Sequence, residues 1–316
     1  MNLITKILGI KYPIVQAPMS WLTDARFVAA VSNAGGMGVI GPNPDLAKVG
    51  MNPTEAAQHM DSVIKKVKKL TNKPFGINLV LSGKDDLENP FLTSLIKVAF
   101  ENKVKYFFLV DGLNKKVFDL IKKHNGIVIY RPLTPSIELA KKAQTAGVDI
   151  LVATGFDEGG DLPNDYWGTF TVVPAIVDAV DIPVLAAGGI VDKRGVRAAM
   201  ELGAEGVYMG TRFLVTQESP MAETIKQAIV EATHDDLVVL SATRRSLKTP
   251  FALKLAQKYQ KDKNTKEINN EIKKNGGLRP GMLEGNLEKG VVSINSGIDG
   301  IIDIPSVGEL ITSLIS

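Results

Sequence analysis

A chain of 316 residues is long for an average domain but fits one barrel of alternating strands and helices, which runs to roughly 250 residues, plus an appendage. Hydrophobic residues at 45% and charged residues at 22% exclude a disordered chain, and 37 basic against 34 acidic residues leave a net charge of +3, too weak a field for nucleic-acid binding. The absence of cysteine excludes disulfides and thiolate chemistry, and the three histidines, His59, His124 and His234, stand in no metal-ligand spacing, so no metal is expected.

Lysines and Pro13 interrupt the N-terminal apolar run, and no later uncharged stretch is long enough for a bilayer, so no membrane association and a cytoplasmic location are expected. Short runs rich in valine and isoleucine then alternate with longer amphipathic segments. That is the pattern of parallel strands buried on both faces and crossed by helices. In chain order the runs are residues 13–17, 37–40, 75–80, 106–110, 126–130, 150–153, 183–187 and 206–209. Eight such runs predict an α/β fold, a TIM (β/α)8 barrel.

Thr23-Asp24 signals the start of one helix that ends at Ala34-Gly35-Gly36, and Thr54-Glu55 the start of another. Gly147 and Gly203 fall where a helix C-terminus calls for a left-handed residue before the next strand. After Phe213 the texture changes. Residues 216–285 are rich in lysine and predict a helical cap over the barrel mouth with no buried strand, the basic stretch 244–274 reading as a solvated helix face. The expected division is a barrel over 1–215, a cap over 216–285 and a terminal segment, 286–316, returning to the barrel.

Active sites of this barrel form at the C-terminal strand ends, and phosphate often binds the loops after the seventh and eighth strands. Those loops read Ala187-Gly188-Gly189 and Met209-Gly210-Thr211. Glycines let backbone amides approach a phosphate closely, and the Thr211 hydroxyl adds a donor. The expectation is a phosphate-bearing ligand, which at this level is a flavin, a sugar phosphate or pyridoxal phosphate.

Several segments carry a more specific likeness: Tyr12-Pro13-Ile14-Val15-Gln16-Ala17-Pro18-Met19, Ala34-Gly35-Gly36-Met37-Gly38, Lys73-Pro74-Phe75-Gly76-Ile77-Asn78-Leu79, Ala186-Ala187-Gly188-Gly189-Ile190 and Met209-Gly210-Thr211-Arg212-Phe213. In this order they resemble the nitronate monooxygenases (2-nitropropane dioxygenases) and the FMN-dependent enoyl-acyl-carrier-protein reductases, closely over residues 5–215 and loosely beyond. The resemblance implies non-covalent FMN, its ring against Ala17, Pro18 and Met19 with Asn78 nearby, Gly159 and Gly160 bordering it, and Arg131 and Thr154 as further contacts. Its phosphate would lie at Ala187, Gly188, Gly189, Gly210 and Thr211.

One departure concerns chemistry. Family members carry a histidine after the paired glycines of the sixth loop, proposed as a base or a substrate ligand, whereas here Gly159-Gly160 is followed by Asp161. Asp161 is therefore the candidate catalytic residue, although a carboxylate is a weaker base than imidazole unless its pocket raises its pKa. The histidines elsewhere read as structural, and Tyr166 and Trp167 either wall the substrate pocket or pack their own loop.

The resemblance implies an FMN-dependent oxidoreductase of the nitronate monooxygenase type, taking a small-molecule nitronate and dioxygen to a carbonyl compound and nitrite. The alternative passes hydride from NADH or NADPH through the flavin to a quinone or an enoyl thioester, with an acyl carrier protein or CoA thioester as partner. A homodimer and a non-catalytic flavin-binding barrel are further readings. A phosphosugar isomerase is set aside, because no glutamate, histidine or lysine base declares itself at a strand end.

Overall fold

The computed structural model describes residues 2–45 and 50–316. Its parallel strands follow the apolar runs: β1 (Ile14–Gln16), β2 (Gly38–Ile40), β3 (Phe75–Leu81), β4 (Tyr106–Asp111), β5 (Ile127–Arg131), β6 (Ile150–Thr154), β7 (Val184–Ala187) and β8 (Gly206–Met209). Each pairs with its sequence neighbour from β2 to β8, and β8 pairs with β1. A bridge between Val15 and Met37 joins β1 to β2 and closes the TIM barrel that the spacing predicts.

The helices are α1 (Leu3–Leu8), α2 (Ala25–Asn33), α3 (Pro53–Leu70), α4 (Pro90–Glu101), α5 (Lys115–Lys123), α6 (Ile137–Thr145), α7 (Thr169–Val177) and α8 (Lys193–Glu201). Asp24 caps α2 by accepting from the Phe27 amide at 2.7 Å. The start of α3 lies slightly before the expected Thr54-Glu55. Asn52 is the cap, Pro53 fills the first helical position, where its missing amide costs nothing, and Glu55 completes a capping box. Gly147 and Gly203 both take φ +92, as their places after α6 and α8 require.

Two apolar layers separate the barrel's inside from its outside. The outer layer packs α2 to α8 on the strands, with Phe27, Phe107, Phe118 and Tyr130 fully buried. The inner layer is filled by Val15, Val39, Phe108, Ile129, Val152 and Leu185, and Ile4 and Leu8 of α1 join it. With the interior filled, only the strand C-termini are left to form a site.

The chain beyond β8 holds α9 (Thr211–Leu214), α10 (Glu223–Glu231), β9 (Leu237–Ser241), β10 (Arg244–Leu247), α11 (Pro250–Asp262), α12 (Thr265–Lys274) and α13 (Val307–Ile315). The antiparallel hairpin β9–β10 corrects the expectation of a cap without strands. Two consecutive arginines in a four-residue strand mask its β character, which comes from pairing with β9. Leu240 packs with Leu255 and Ile268 in a small core of the cap, while Leu247, Met282, Val292 and Ile294 pack with Leu22 and Leu214 at the barrel mouth. Helix α13 then packs against α8 and α2, so the residues between β8 and α13 form an excursion from the barrel's last turn. Among the described residues no helix is long and apolar enough to cross a membrane.

Candidate functional site

A cavity of about 380 Å³ opens at the C-terminal ends of the strands, inside the ~300–1,000 Å³ range of small-ligand sites. Ala17, Pro18 and Met19 line it beyond β1, Asn78 on β3, Arg131 at the end of β5, and Gly159, Gly160 and Asp161 on the β6–α7 loop. Ala187, Gly188 and Gly189 line it after β7, and Gly210 and Thr211 after β8. Thr154 is the exception among the residues singled out from the sequence. It is buried below the cavity and accepts a hydrogen bond from Arg131 Nε at 3.3 Å, so it orients Arg131 rather than facing the space.

At the β7–β8 corner the backbone sets the geometry. Gly188 and Gly189 take φ +107 and +66, and a Cβ on Gly188 would come within 2.7 Å of Thr169 Oγ1. The amides of Gly188, Gly189, Gly210 and Thr211 have no hydrogen-bond acceptor among the described residues. The Thr211 hydroxyl accepts from the Asn295 amide at 3.0 Å, leaving its proton for another partner. Such a group of unsatisfied donors at one corner suits an anionic oxygen cluster.

On the opposite wall, Asn78 donates from Nδ2 to the Phe108 carbonyl at 2.8 Å, which leaves Oδ1 as an acceptor for a ligand N–H.

The β6–α7 loop is built from side chains instead. Asp157 accepts from the Thr169 amide at 2.6 Å and so caps α7, while its carbonyl accepts from the Ser296 amide at 3.0 Å. Gly159 lets the tail approach, since a Cβ there would lie 2.7 Å from the Ile294 carbonyl carbon. Gly160 donates to Ser293 Oγ at 3.0 Å. The hairpin presses on the same loop: Arg245 donates to the Phe156 carbonyl at 2.6 Å, and Arg244 forms an ion pair with Asp161. The β9–β10 register shifts between Arg244 and Arg245, and such a bulge lets two successive side chains that would otherwise alternate reach one loop.

Two charged cavity residues carry no signal in the sequence. Arg244 sits in a stretch that reads as solvated helix, yet its side chain is only 23% exposed and lines the cavity. Glu158 precedes the paired glycines and belongs to no motif of its own; it is buried and ion-paired with Arg131. Burial pushes the Glu158 carboxyl up to about 8 against the pull of Arg131, with Asp161 adding to the rise. Burial likewise raises the Tyr208 phenol on β8. The cavity wall thus sets two arginines against two carboxylates, Arg131 paired with Glu158 and Arg244 with Asp161.

Tyr166 and Trp167 do not line the cavity; Tyr166 packs edge-on against Phe156 with ring centres 4.9 Å apart. The histidines lie elsewhere: His59 bonds the Pro44 carbonyl, His124 stacks on Phe100, and His234 meets Asp299 at the surface.

The family model described as nitronate monooxygenase matches residues 1–316. A probable nitronate monooxygenase of Staphylococcus aureus is 33% identical, the match covering 86% of this chain and 84% of that protein. The (3aS,4S,5R,7aS)-5-hydroxy-7a-methyl-1-oxo-octahydro-1H-indene-4-carboxyl-CoA dehydrogenase of Rhodococcus jostii is 29% identical over 99% of this chain and 94% of its own. Among solved structures, FabK from Thermotoga maritima superposes with a TM-score of 0.86 at 33% identity, covering all of this chain and 95% of that one. The nitroalkane oxidase of Streptomyces ansochromogenes shares the fold, with a TM-score of 0.75 at 21% identity over all of this chain and 97% of that one.

Proposed function

Because this chain belongs to the nitronate monooxygenase family of FMN-dependent oxidoreductases, we propose that the cavity holds FMN and that the enzyme oxidises alkyl nitronates with dioxygen to a carbonyl compound and nitrite. The observation that supports this most is the continuity of the cavity. It joins four unsatisfied amides at the β7–β8 corner to the flat wall of Ala17, Pro18 and Met19 and to the free acceptor of Asn78. A ligand with a phosphate at one end and a planar, N–H-bearing ring at the other fits that sequence of features.

FMN, when bound, supplies the two-electron acceptor chemistry; the protein supplies position and field. Gly188, Gly189, Gly210 and Thr211 would hold the phosphate, and Asn78 would take a ring N–H. Arg131 and Arg244 line the remaining space and offer guanidinium N–H groups to the oxygens of an anionic nitronate. Asp161 stays as a candidate for substrate contact in the family's histidine position, tied to Arg244.

A second reading has its own support. The likeness to FabK extends over the whole chain, and the Rhodococcus relative is named for a CoA thioester. In that reading NADH or NADPH reduces the flavin and an enoyl thioester of CoA or an acyl carrier protein is the acceptor.

Anaerobic mixing separates the two. Under the first reading the yellow enzyme is bleached by ethylnitronate and only slowly by NADH or NADPH. Fast bleaching by a nicotinamide with none by ethylnitronate overturns it in favour of the second. Release of FAD, or a colourless protein that cannot be loaded with FMN, refutes both.

A further inference from the structure

The β6–α7 loop brings two carboxylates to one cavity, and their surroundings differ. Asp161 is 49% exposed and clamped by Arg244. Glu158 is only 9% exposed and has one oxygen on Arg131. Its other oxygen, Oε1, is buried with no hydrogen-bond partner among the described residues. An orphaned oxygen on a residue that lines a ligand cavity points to a partner that arrives with the ligand.

We propose that Glu158, rather than Asp161, is the group that takes up the substrate proton at the reacting end of this cavity. The proposal rests on the nitronate monooxygenase reading given above and extends it to neutral nitroalkanes. With a neutral nitroalkane, the bond between the α-carbon and its hydrogen breaks and the proton goes to the Glu158 carboxylate. The electron pair left behind forms the carbon–nitrogen double bond of the nitronate, and the negative charge settles on the nitro oxygens. Arg131, held by Thr154 and Glu158, is placed to receive that charge. Once the product leaves, the proton passes to water at the cavity mouth.

The groups that face Glu158 set when it can act. Burial disfavours its charged form, Arg131 from β5 and Arg245 from β10 favour it, and Asp161 on the same loop opposes it. Tyr208 from β8 lies within electrostatic reach of both Glu158 and Arg131. The net result is a carboxyl that titrates at about 8 and is a stronger base, once ionised, than an ordinary carboxylate. Base strength therefore becomes available as pH rises through about 8, and below that the residue is a neutral acid.

The test compares wild type, Glu158→Gln and Glu158→Asp, each carrying a full complement of FMN. In wild type, kcat/KM on nitroethane rises through pH 8, and Glu158→Gln lowers the ratio of nitroethane to ethylnitronate kcat/KM by ~100-fold or more and removes that limb. Glu158→Asp, which keeps a carboxyl, recovers part of the limb. Independently of any substrate, infrared difference spectra of the wild-type holoenzyme show a protonated carboxyl band that disappears over the same pH range and is missing from Glu158→Gln. An unchanged ratio and limb in Glu158→Gln, or no such band in wild type, overturns the proposal. If wild type oxidises neither compound, the nitronate monooxygenase reading falls, and the infrared band alone decides whether Glu158 holds an exchangeable proton.

Discussion

The two halves of the cavity are built by different means. The β7–β8 corner is a backbone site, in which Gly188 and Gly189 at φ +107 and +66, with Gly210 and Thr211 beside them, present four amides that have no partner among the described residues. The β6–α7 loop opposite is a side-chain site, where Asp161, Glu158, Arg131 and Arg244 hold one another and one arginine comes from the hairpin of a distant segment. A backbone site tolerates almost no added atoms but is indifferent to charge at neighbouring positions. A side-chain site accepts substitutions sterically and answers through charge and proton occupancy. Binding of a common ligand end and tuning toward a particular substrate can therefore change separately.

The sharpest way to break this contrast is to add a side chain at the corner. Gly188→Val, strained at φ +107 and blocked by Thr169, should lose FMN altogether and lower the melting temperature. Gly210→Val separates the ligand effect from the folding effect. Its Cβ would meet only Met19 Sδ at 3.4 Å and Ala17 Cβ at 3.8 Å, so the fold survives while the added methyl groups crowd the cavity. FMN should bind it ~10–100-fold more weakly, on the scale of ~1.4 kcal/mol per tenfold, as read by fluorescence titration. Unchanged affinity in Gly210→Val would move the phosphate away from this corner.

A smaller effect is expected at Thr211, where only one donor is removed. Thr211→Val should weaken FMN about tenfold, the cost of one hydrogen bond to a charged group, without altering the pH dependence of turnover. A change in the pH profile instead would tie this residue to the opposite wall.

The least effect belongs to the half-exposed ion pair. Arg244→Ala uncovers the negative charge of Asp161 and should raise KM for ethylnitronate about threefold to fivefold, and adding Asp161→Asn should restore it, because exposed pairs couple by ~0.2–1 kcal/mol. If Asp161→Asn alone lowers turnover as strongly as Glu158→Gln does, Asp161 is a working residue and the division between the two carboxylates is wrong.

These differences also mark which parts of the site are legible in the chain. Glycine at a strand end is a local signal, because its conformational freedom and lack of Cβ belong to the residue itself. That Gly188, Gly189 and Gly210 line the cavity is therefore legible, like the eight apolar runs, in the amino-acid sequence alone, and that Ala17, Pro18, Met19 and Asn78 line it is legible through the segments shared with a family. Thr154 is not, because register decides which side of a strand end a threonine occupies, and here it lies beneath Arg131 instead of facing the ligand space. The hairpin that carries Arg244 and Arg245 reads as helical because a strand of four residues is defined by its partner rather than by its own composition.

What the sequence by itself determined is thus the period and number of the strands, the barrel they close, and the turns at which backbone donors are bared, since each depends on interactions within a few residues. What only the tertiary structure decided is the electrostatics of the site. Placing Arg244 on Asp161 joins residues 83 positions apart, and burying Glu158 against Arg131 joins residues 27 apart. Burial and charge proximity are properties of the assembled neighbourhood, and they alone push the Glu158 carboxyl well above the usual carboxylate range.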